Sequence, residues 1–238
     1  MTLLDTVNQN DEKMFHKVMG ESFIHPLGGN DLYRAMDFAA KKGYVVYLER
    51  LAPLATRASR TNAFQEAAGY GNLECVKALQ PYISDDDNFW LLSFKECAHG
   101  SLLVGALPGF ASDCNHAACL DILAPHVSKD EANKRLAFIG GQCSVDVLNV
   151  LLKYADPHHN NSKALQKAVL KNAQHNIDIL YPISDPVAAL KDMQCGVVPL
   201  CTPQDWMPLF ERIESDRLKI VLDNEVNGSS ARARVNKI

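Results

Sequence analysis

Three cysteines and two histidines near the middle of the chain have types and a spacing that could bind zinc: Cys97, His99, Cys114, His116 and Cys119. Thiolate and imidazole are zinc's usual structural ligands, and four such groups complete a tetrahedral site. However, the spacing matches no zinc module closely, and Cys119 aligns with Cys75, which has no other ligand type nearby in the sequence. We favour buried free thiols, with a zinc-dependent or catalytic module built around this segment as the alternative.

The rest of the sequence shows no motif for catalysis. A phosphate-binding loop, a nucleophile elbow, an HExxH pair and a dinucleotide fingerprint are all absent. His158 and His159 follow Asp156-Pro157 in a predicted turn, where histidines are usually solvated. The acidic pairs precede predicted helices, where carboxylates interact favourably with the helix dipole. We therefore predict that the protein is not an enzyme and has no cofactor, no metal ion and no catalytic residues.

The composition is typical of a folded protein with a mildly acidic surface. The 238 residues are 47% hydrophobic and 22% charged, with a net charge of −4. This balance argues against nucleic acid as a partner, and no apolar stretch reaches the roughly 20 residues of a membrane helix. The seven cysteines include no CxxC, and the first residues do not form a secretory signal. We expect a cytoplasmic protein, with export without a cleaved signal as an alternative.

Five stretches share one pattern, in which two apolar residues lie three apart and a proline usually follows the second by two positions. They are Leu48/Leu51/Pro53, Val76/Leu79/Pro81, Leu120/Leu123/Pro125, Leu148/Leu151/Lys153 and Ile177/Leu180/Pro182. The second apolar residues are 28 or 29 positions apart, except for one interval of 44. Such a period predicts stacked pairs of helices. Proline should end the second helix of each pair, because it donates no backbone N–H.

Two further columns support the same pairs. The first helix contains a small-residue pair, which is Ala39-Ala40, Ala67-Ala68, Ala111-Ser112, Ile139-Gly140 and Ala168-Val169 in the five units. Five residues after each leucine lies a side chain whose oxygen can accept a backbone N–H at a helix start: Thr56, Ser84, Ser128, Asp156 and Asp185. The turn between the two helices has glycine at positions 43 and 71, and then Asn115, Cys143 and Asn172. Asparagine tolerates the left-handed conformation that such a turn requires.

The best-formed unit, residues 62–79, resembles an ankyrin repeat in its alanine-rich first helix, its glycine turn and its leucine-terminated second helix. Residues 151–157 and 161–165 are similar to unit boundaries in short-period ankyrin arrays of bacteria and protists. The period is shorter than the usual 33 or so residues, and the Thr-Pro-Leu-His motif is missing. The resemblance implies an all-α solenoid of stacked ankyrin-like repeats, with short or absent β-hairpin fingers. It also implies a protein-binding scaffold, as in secreted bacterial effectors and enzyme inhibitors.

These patterns predict three regions along the chain. An N-terminal helical cap covers residues 1–29, an array of about six units covers 30–213, and a C-terminal capping helix with a disordered tail from residue 227 covers 214–238. The 44-residue interval predicts an insertion near residues 85–106. Its helix, with Phe89, Trp90, Leu91, Phe94 and Cys97 on one face, either packs on the array, which we favour, or protrudes as an interface.

We expect a monomer that binds a protein partner of unknown identity, and neither nucleic acid nor a membrane. The partner would contact the inner helices, the loops and the inserted segment. The residues predicted to bind it are Asp85, Asp86, Asp87, Phe89, Trp90, His158, His159 and Asn160.

Overall fold

The computed structural model describes residues 2–21, 29–83, 87–102, 115–198 and 201–235. Within these ranges all regular structure is helical, which confirms the all-α prediction for this part of the chain. The helices are α1 (Leu3–Asn8), α2 (Glu12–Glu21), α3 (Gly29–Lys42), α4 (Val45–Leu51), α5 (Arg57–Gly69), α6 (Leu73–Leu79), α7 (Asp87–Gly100), α8 (His116–Leu123), α9 (Lys129–Ile139), α10 (Val145–Tyr154), α11 (His159–Leu170), α12 (Gln174–Leu180), α13 (Pro186–Gln194) and α14 (Pro203–Val235). No helix in the described ranges is both long and apolar enough to span a bilayer.

The chain forms two compact units. The first comprises Met1–Ile139 and Cys143–Asp156, and the second comprises Gly140–Gln142 and Pro157–Ile238. In the first unit α3, α5, α7 and α9 contact one another in that order, and so do α4, α6, α8 and α10. Each first helix also packs against the second helix of its own pair. In the second unit α11 contacts α12, α13 and α14, and α13 also contacts α14.

The proline column sets where four of the second helices end. The α-helical hydrogen bonds stop at Leu51, Leu79, Leu123 and Leu180, and each of these helices continues into a short 3-10 turn that contains the proline. All four leucines are fully buried. Lys153 replaces the proline in the remaining pair, and there α10 continues to Tyr154. The difference follows from the lysine N–H, which can extend the helix where proline cannot.

The oxygen column begins three of the first helices as predicted, whereas α11 begins only at His159, three residues after Asp156, with His158 in the cap position. Thr56, Ser128 and Asp185 each accept the backbone N–H three residues later, at 3.2, 3.3 and 2.9 Å. Ser84 lies outside the described residues. These contacts satisfy backbone donors that would otherwise have no partner in the first helical turn.

The turns inside the helix pairs have a left-handed residue at three of the five predicted positions, and Asn115 and Cys143 are not left-handed. Gly43, Gly71 and Asn172 have φ values of +75°, +71° and +50°, in the left-handed region. Asn115 instead has φ −105°, and its side chain accepts the N–H of Ala118 to start α8. The reason is the length of the connection, because Asn115 ends a long segment while the other three lie in tight turns.

The structure corrects the position of the insertion. Helix α7 does form within the predicted segment, but it is not an addition to the stack. It lies between α5 and α9 as the first helix of its own pair. The extra residues therefore lie between α7 and α8, at positions 101–115, of which 103–114 are outside the described residues. The predicted small-residue pair Ala111-Ser112 is among the residues outside the described ranges. In α7 the corresponding small residues are Cys97 and Ala98, both fully buried.

Helices form near both ends of the chain, and the C-terminal helix is longer than predicted. The described part of residues 1–29 contains the two helices α1 and α2, with α1 against α3, and Phe15 of α2 contacts Tyr47 edge to face at 4.7 Å between ring centroids. At the other end, a closing helix and a frayed tail from residue 227 were predicted. The structure has one helix instead, α14, which runs without interruption to Val235.

Candidate functional site

The aromatic residues at the start of α7 form part of the core of the first unit. Phe89 and Trp90 are only 6% and 4% exposed. The centroids of the Phe89 and Trp90 rings lie 5.2 and 5.6 Å from that of Phe64 in α5. The His126 ring stacks on Trp90, with 3.9 Å between the ring centroids. Trp90 therefore packs α7 against its neighbours and is not an exposed interface anchor. Asp87 is the first residue of α7, whereas residues 85 and 86 lie outside the described ranges.

A groove nevertheless follows the boundary between α5 and α7, and Phe89 lines part of it. We call this the α5–α7 groove. One part has a volume of about 530 Å³ and is lined by Ala58, Ile83 and Phe89 together with polar residues of α5. The other part has a volume of about 350 Å³ and is lined by Glu66 and acidic or polar residues of α7. Gln65 lines both parts. Apolar lining combined with a few polar groups is typical of binding sites.

The second part of the groove carries excess negative charge. Lys41 contacts Asp37 at 2.9 Å and Glu66 at 3.5 Å, and the Asn62 amide donates to Asp37 at 2.9 Å. Burial raises the pKa of Glu66, Lys41 opposes that shift, and the neighbouring Asp37 and Glu96 carboxylates add to it. Lys41 thus pairs with two carboxylates, Asp37 and Glu66, while Glu96 interacts with the Arg135 guanidinium. The site favours a positively charged or hydrogen-bond-donating group from a partner.

Large apolar side chains are exposed on three of the four first helices of the first unit, including α7, which borders this groove. Tyr33 on α3, Leu92 on α7 and Phe138 on α9 are 38%, 51% and 52% exposed. The Arg135 guanidinium lies 5.5 Å from the centre of the Phe138 ring. We call the three exposed residues, together with the half-buried Arg135, the exposed stripe. Aromatic residues and arginine are the types that contribute most to protein interfaces.

The exposed stripe was not predicted from the sequence, although one signal was present. The face predicted for α7 contains Phe89, Trp90, Leu91, Phe94 and Cys97 and omits Leu92. A leucine on the opposite face of an otherwise well-packed helix was the available indication. Nothing comparable marks Phe138, because its exposure depends on how α9 packs.

The predicted residues at positions 158–160 belong to the second unit. His158 and Asn160 are exposed, and His159 is partly buried. Asn160, Asn161 and Ser162 are consecutive left-handed residues, with φ values of +53°, +53° and +57°. The Ser162 hydroxyl accepts the Asp185 N–H at 2.8 Å, and the Asn161 amide donates to Asp192 at 3.1 Å. These contacts stabilise a backbone turn that non-glycine residues seldom adopt.

The five residues of the zinc alternative are only partly brought together. Cys97 and Cys119 are fully buried neighbours, and the Cys97 thiol lies 3.5 Å from the His116 carbonyl oxygen. Burial raises the pKa of Cys97, which favours the thiol over the thiolate that zinc requires. His99 is exposed, and Cys114 is outside the described residues. In the described ranges no three His, Cys, Asp or Glu side chains are placed to bind one metal ion.

The His116 side chain makes a structural contact that also occurs at two other sites. Its Nε2 lies 2.9 Å from the Gly69 carbonyl oxygen at the end of α5, so this nitrogen donates. Asn72 donates to the Ala40 carbonyl at 2.6 Å, and in the second unit Asn176 donates to the Gly140 carbonyl at 2.8 Å. Each bond satisfies a carbonyl that the regular helical pattern leaves without a partner. His116 thus has the role of Asn72, and each of the two lies three residues before the aligned Cys119 or Cys75.

Because His116 is buried, we expect it to make stability depend on pH. Burial lowers its pKa below the ordinary value of 6.5, so the unfolded chain binds the proton more tightly than the folded one. The contribution of His116 to the free energy of unfolding should be complete above about pH 6.5. It should be lost as the pH falls through the pKa that His116 has in the folded chain. Urea unfolding between about pH 5 and 8 should therefore show stability falling on the acid side.

Substitution of His116 separates this effect from other titrations. His116→Asn retains a donor for the Gly69 carbonyl, as at Asn72, and should flatten the pH dependence. His116→Ala should also flatten it, but with a loss of about 1–3 kcal/mol at pH 8, since the carbonyl loses its donor. An unchanged slope in both variants would show that His116 does not titrate in this range.

Comparison of the chain with protein-family models, with curated proteins and with solved structures finds no match. The ankyrin resemblance therefore stays a prediction from the residues that carry it. What the structure adds is the side-by-side packing of helix pairs in the first unit, the α5–α7 groove and the exposed stripe.

Proposed function

We propose that this protein is a binding scaffold of ankyrin-like helix pairs, and that it holds a partner protein through the first helices of its first unit. The observation that carries this proposal is the exposed stripe beside the α5–α7 groove. Exposed apolar side chains that form one patch commonly mark an interaction surface, whereas scattered ones do not. Here they occur on three of the four first helices of the first unit, which the stacked core holds in a fixed order.

The two features together suggest how a partner is held. Leu92, Phe138 and Tyr33 offer apolar contact area, and Arg135 is held beside one of these rings. The groove offers an apolar part next to Phe89 and an acidic part next to Glu66. Because the backbone that presents these groups is held by a packed core, little conformational entropy is lost on binding. Specificity would come from the charged part and affinity from the apolar part.

The test compares two exposed leucines. Leu92 lies in the stripe, and Leu54, which is 60% exposed, lies in the 3-10 turn after α4. A photo-crosslinking residue introduced at position 92 should link the full chain to one protein in a lysate of the native cell. The same residue at position 54 should not yield that product. The protein identified in this way then serves as the purified partner.

Affinity for that partner should fall about tenfold or more in the double variant Leu92→Ala/Phe138→Ala, since truncated interface anchors often lose this much. Leu54→Ala should bind as the unchanged chain does. Both sites are exposed, so neither variant should lose much more than about 0.5 kcal/mol of folding stability. Equal crosslinking from positions 54 and 92, or unchanged affinity in the double variant, would contradict the proposal.

A further inference from the structure

A cavity lies within the second unit, where α11, α12 and α14 meet, and the proposed function does not use it. Its volume is about 390 Å³, within the range of about 300–1,000 Å³ that is usual for small-molecule sites. Helix α14 contributes Asp205, Pro208, Leu209 and Arg212 to its lining. The last three follow the first by three, four and seven positions, which places all four on one face of the helix. We call this cavity the α14 cavity.

Arg212 places a pre-oriented guanidinium in the lining of the α14 cavity. Its Nη1 donates to Asp178 at 2.7 Å, and its Cζ lies 4.1 Å from the centre of the Tyr181 ring. The Tyr181 hydroxyl in turn donates to Asp216 at 2.8 Å, which holds that ring in place. A guanidinium has five N–H donors, and the Asp178 contact leaves most of them for another group. Because its planar fork matches the two oxygens of a carboxylate, Arg212 is suited to bind one.

Asp205 supplies the opposite charge, about two helical turns nearer the start of α14. Its Oδ2 accepts the N–H and the hydroxyl of Thr202, each at 2.7 Å. These two hydrogen bonds, that of the hydroxyl first, hold the pKa of Asp205 below its ordinary value, so the carboxylate is charged at neutral pH. In the described part of the chain no hydrogen bond or ion pair occupies its other oxygen, Oδ1. That oxygen is available to a cationic group.

The walls of the cavity also present backbone acceptors. Pro208 lies inside α14 and has no N–H, so the carbonyl of Gln204, another lining residue, has no helical donor four positions later. Leu170, the last residue of α11, lines the cavity as well, and the last carbonyls of a helix have no donor within it. Asn72 donates to the end of α3 and His116 to the end of α5. Within the described ranges no side chain of α14 donates to the end of α11, so a ligand with N–H groups suits this site.

We propose that the α14 cavity binds a free peptide of two or three residues, with its terminal ammonium at Asp205 and its terminal carboxylate at Arg212. The residues that line the cavity carry one charge of each sign, which matches a ligand with two opposite charges. Residues 205 and 212 are about 10.5 Å apart along the helix axis. The Arg212 side chain leans toward the N-terminus of the helix, which shortens the gap between the two charges. An extended di- or tripeptide is about 7–11 Å long and spans it.

The rest of the lining suits the middle of such a peptide. Val169, Ile177 and Leu209 offer apolar contact for a side chain. The side-chain amide of Gln204 has both a donor and an acceptor, as a peptide group has. This site belongs to the second unit, so the proposal is independent of the partner protein proposed for the first unit.

The probe is the tripeptide alanyl-leucyl-alanine, titrated into the full chain while NMR follows the side-chain amide signals of Gln174 and Gln204. Both residues line the cavity, so both signals should shift along one saturating curve. Acetylating the N-terminus of the tripeptide, or amidating its C-terminus, removes one of its two charges. Each change should weaken binding about tenfold, because it removes hydrogen bonds between charged groups. Equal binding of all three peptides, or no binding of the free tripeptide, would overturn the proposal.

Variants of the protein test whether each terminus meets its own residue. Arg212→Gln removes the group that binds the carboxylate, and Asp205→Asn removes the negative charge while retaining an oxygen for Thr202. Arg212→Gln and amidation remove the same contact, so together they should weaken binding no more than either does alone. The same holds for Asp205→Asn and acetylation. Arg217→Gln is the matched control, because Arg217 is exposed on the same helix and does not line the cavity.

Additive losses in these combinations, or an equal loss in Arg217→Gln, would exclude this site, since the termini would then bind elsewhere. Asp205 and Arg212 are only partly buried, so both variants should remain folded, as circular dichroism can check. The two blocked peptides test the proposal on the unchanged chain and do not depend on the folding of any variant.

Discussion

Replacing Trp90 with alanine should unfold much of the first unit instead of removing a contact surface. The side chain is 4% exposed and touches three other rings, from Phe64, Phe89 and His126. Removing a buried aromatic side chain of this size costs about 3–5 kcal/mol of folding free energy, because the cavity it leaves is only partly refilled. We expect a correspondingly lower urea midpoint, measured by circular dichroism.

Two variants provide the controls for this prediction. Leu92→Ala changes a residue two positions away that is 51% exposed, and its stability should stay within about 0.5 kcal/mol of the unchanged chain. Trp90→Phe retains an aromatic ring and removes an indole N–H that has no hydrogen-bond partner among the described residues. That variant should lose clearly less than Trp90→Ala. If Trp90→Ala were as stable as Leu92→Ala, α7 would not be a packed member of the stack.

Replacing Gly100 with alanine should be the most damaging small substitution in the first unit. A methyl group there would lie 1.8 Å from the Gly69 carbonyl oxygen and 2.9 Å from Nε2 of His116. The first of these is backbone and cannot move aside, so α5 and α7 would have to separate. The hydrogen bond between His116 and Gly69 would be lost as well. We expect a loss of at least about 3 kcal/mol, at the upper end for overpacked sites.

The matched control is the other glycine of the same contact. A methyl group at Gly69 would meet only Glu96, at 3.8 Å, which is an ordinary contact distance. Since Gly69 is the last residue of α5, Gly69→Ala should be neutral or stabilising by up to about 1 kcal/mol. Fluorescence of Trp90 in a Trp206→Phe background follows the first unit alone. Similar losses for both glycines would show that α5 and α7 do not approach as closely as described.

The sequence by itself determined most of the local structure. Prolines 53, 81, 125 and 182 ended four helices, and Lys153 allowed a fifth to continue. Thr56, Ser128 and Asp185 began helices, and glycine or asparagine formed three tight turns. These outcomes depend on chemistry within a few residues, namely a missing N–H, an oxygen near a free donor, or an allowed positive φ. Such effects operate wherever the residues occur.

Only the tertiary structure decided which residues can meet a partner. The sequence placed Phe89 and Trp90 in an insertion, whereas packing made α7 a first helix and buried both side chains against α5. Leu92 is exposed for the same reason, because the opposite face of α7 is the one that faces the neighbouring helices. Whether an apolar side chain is buried depends on residues far away in the chain, and their positions follow from packing rather than from local spacing.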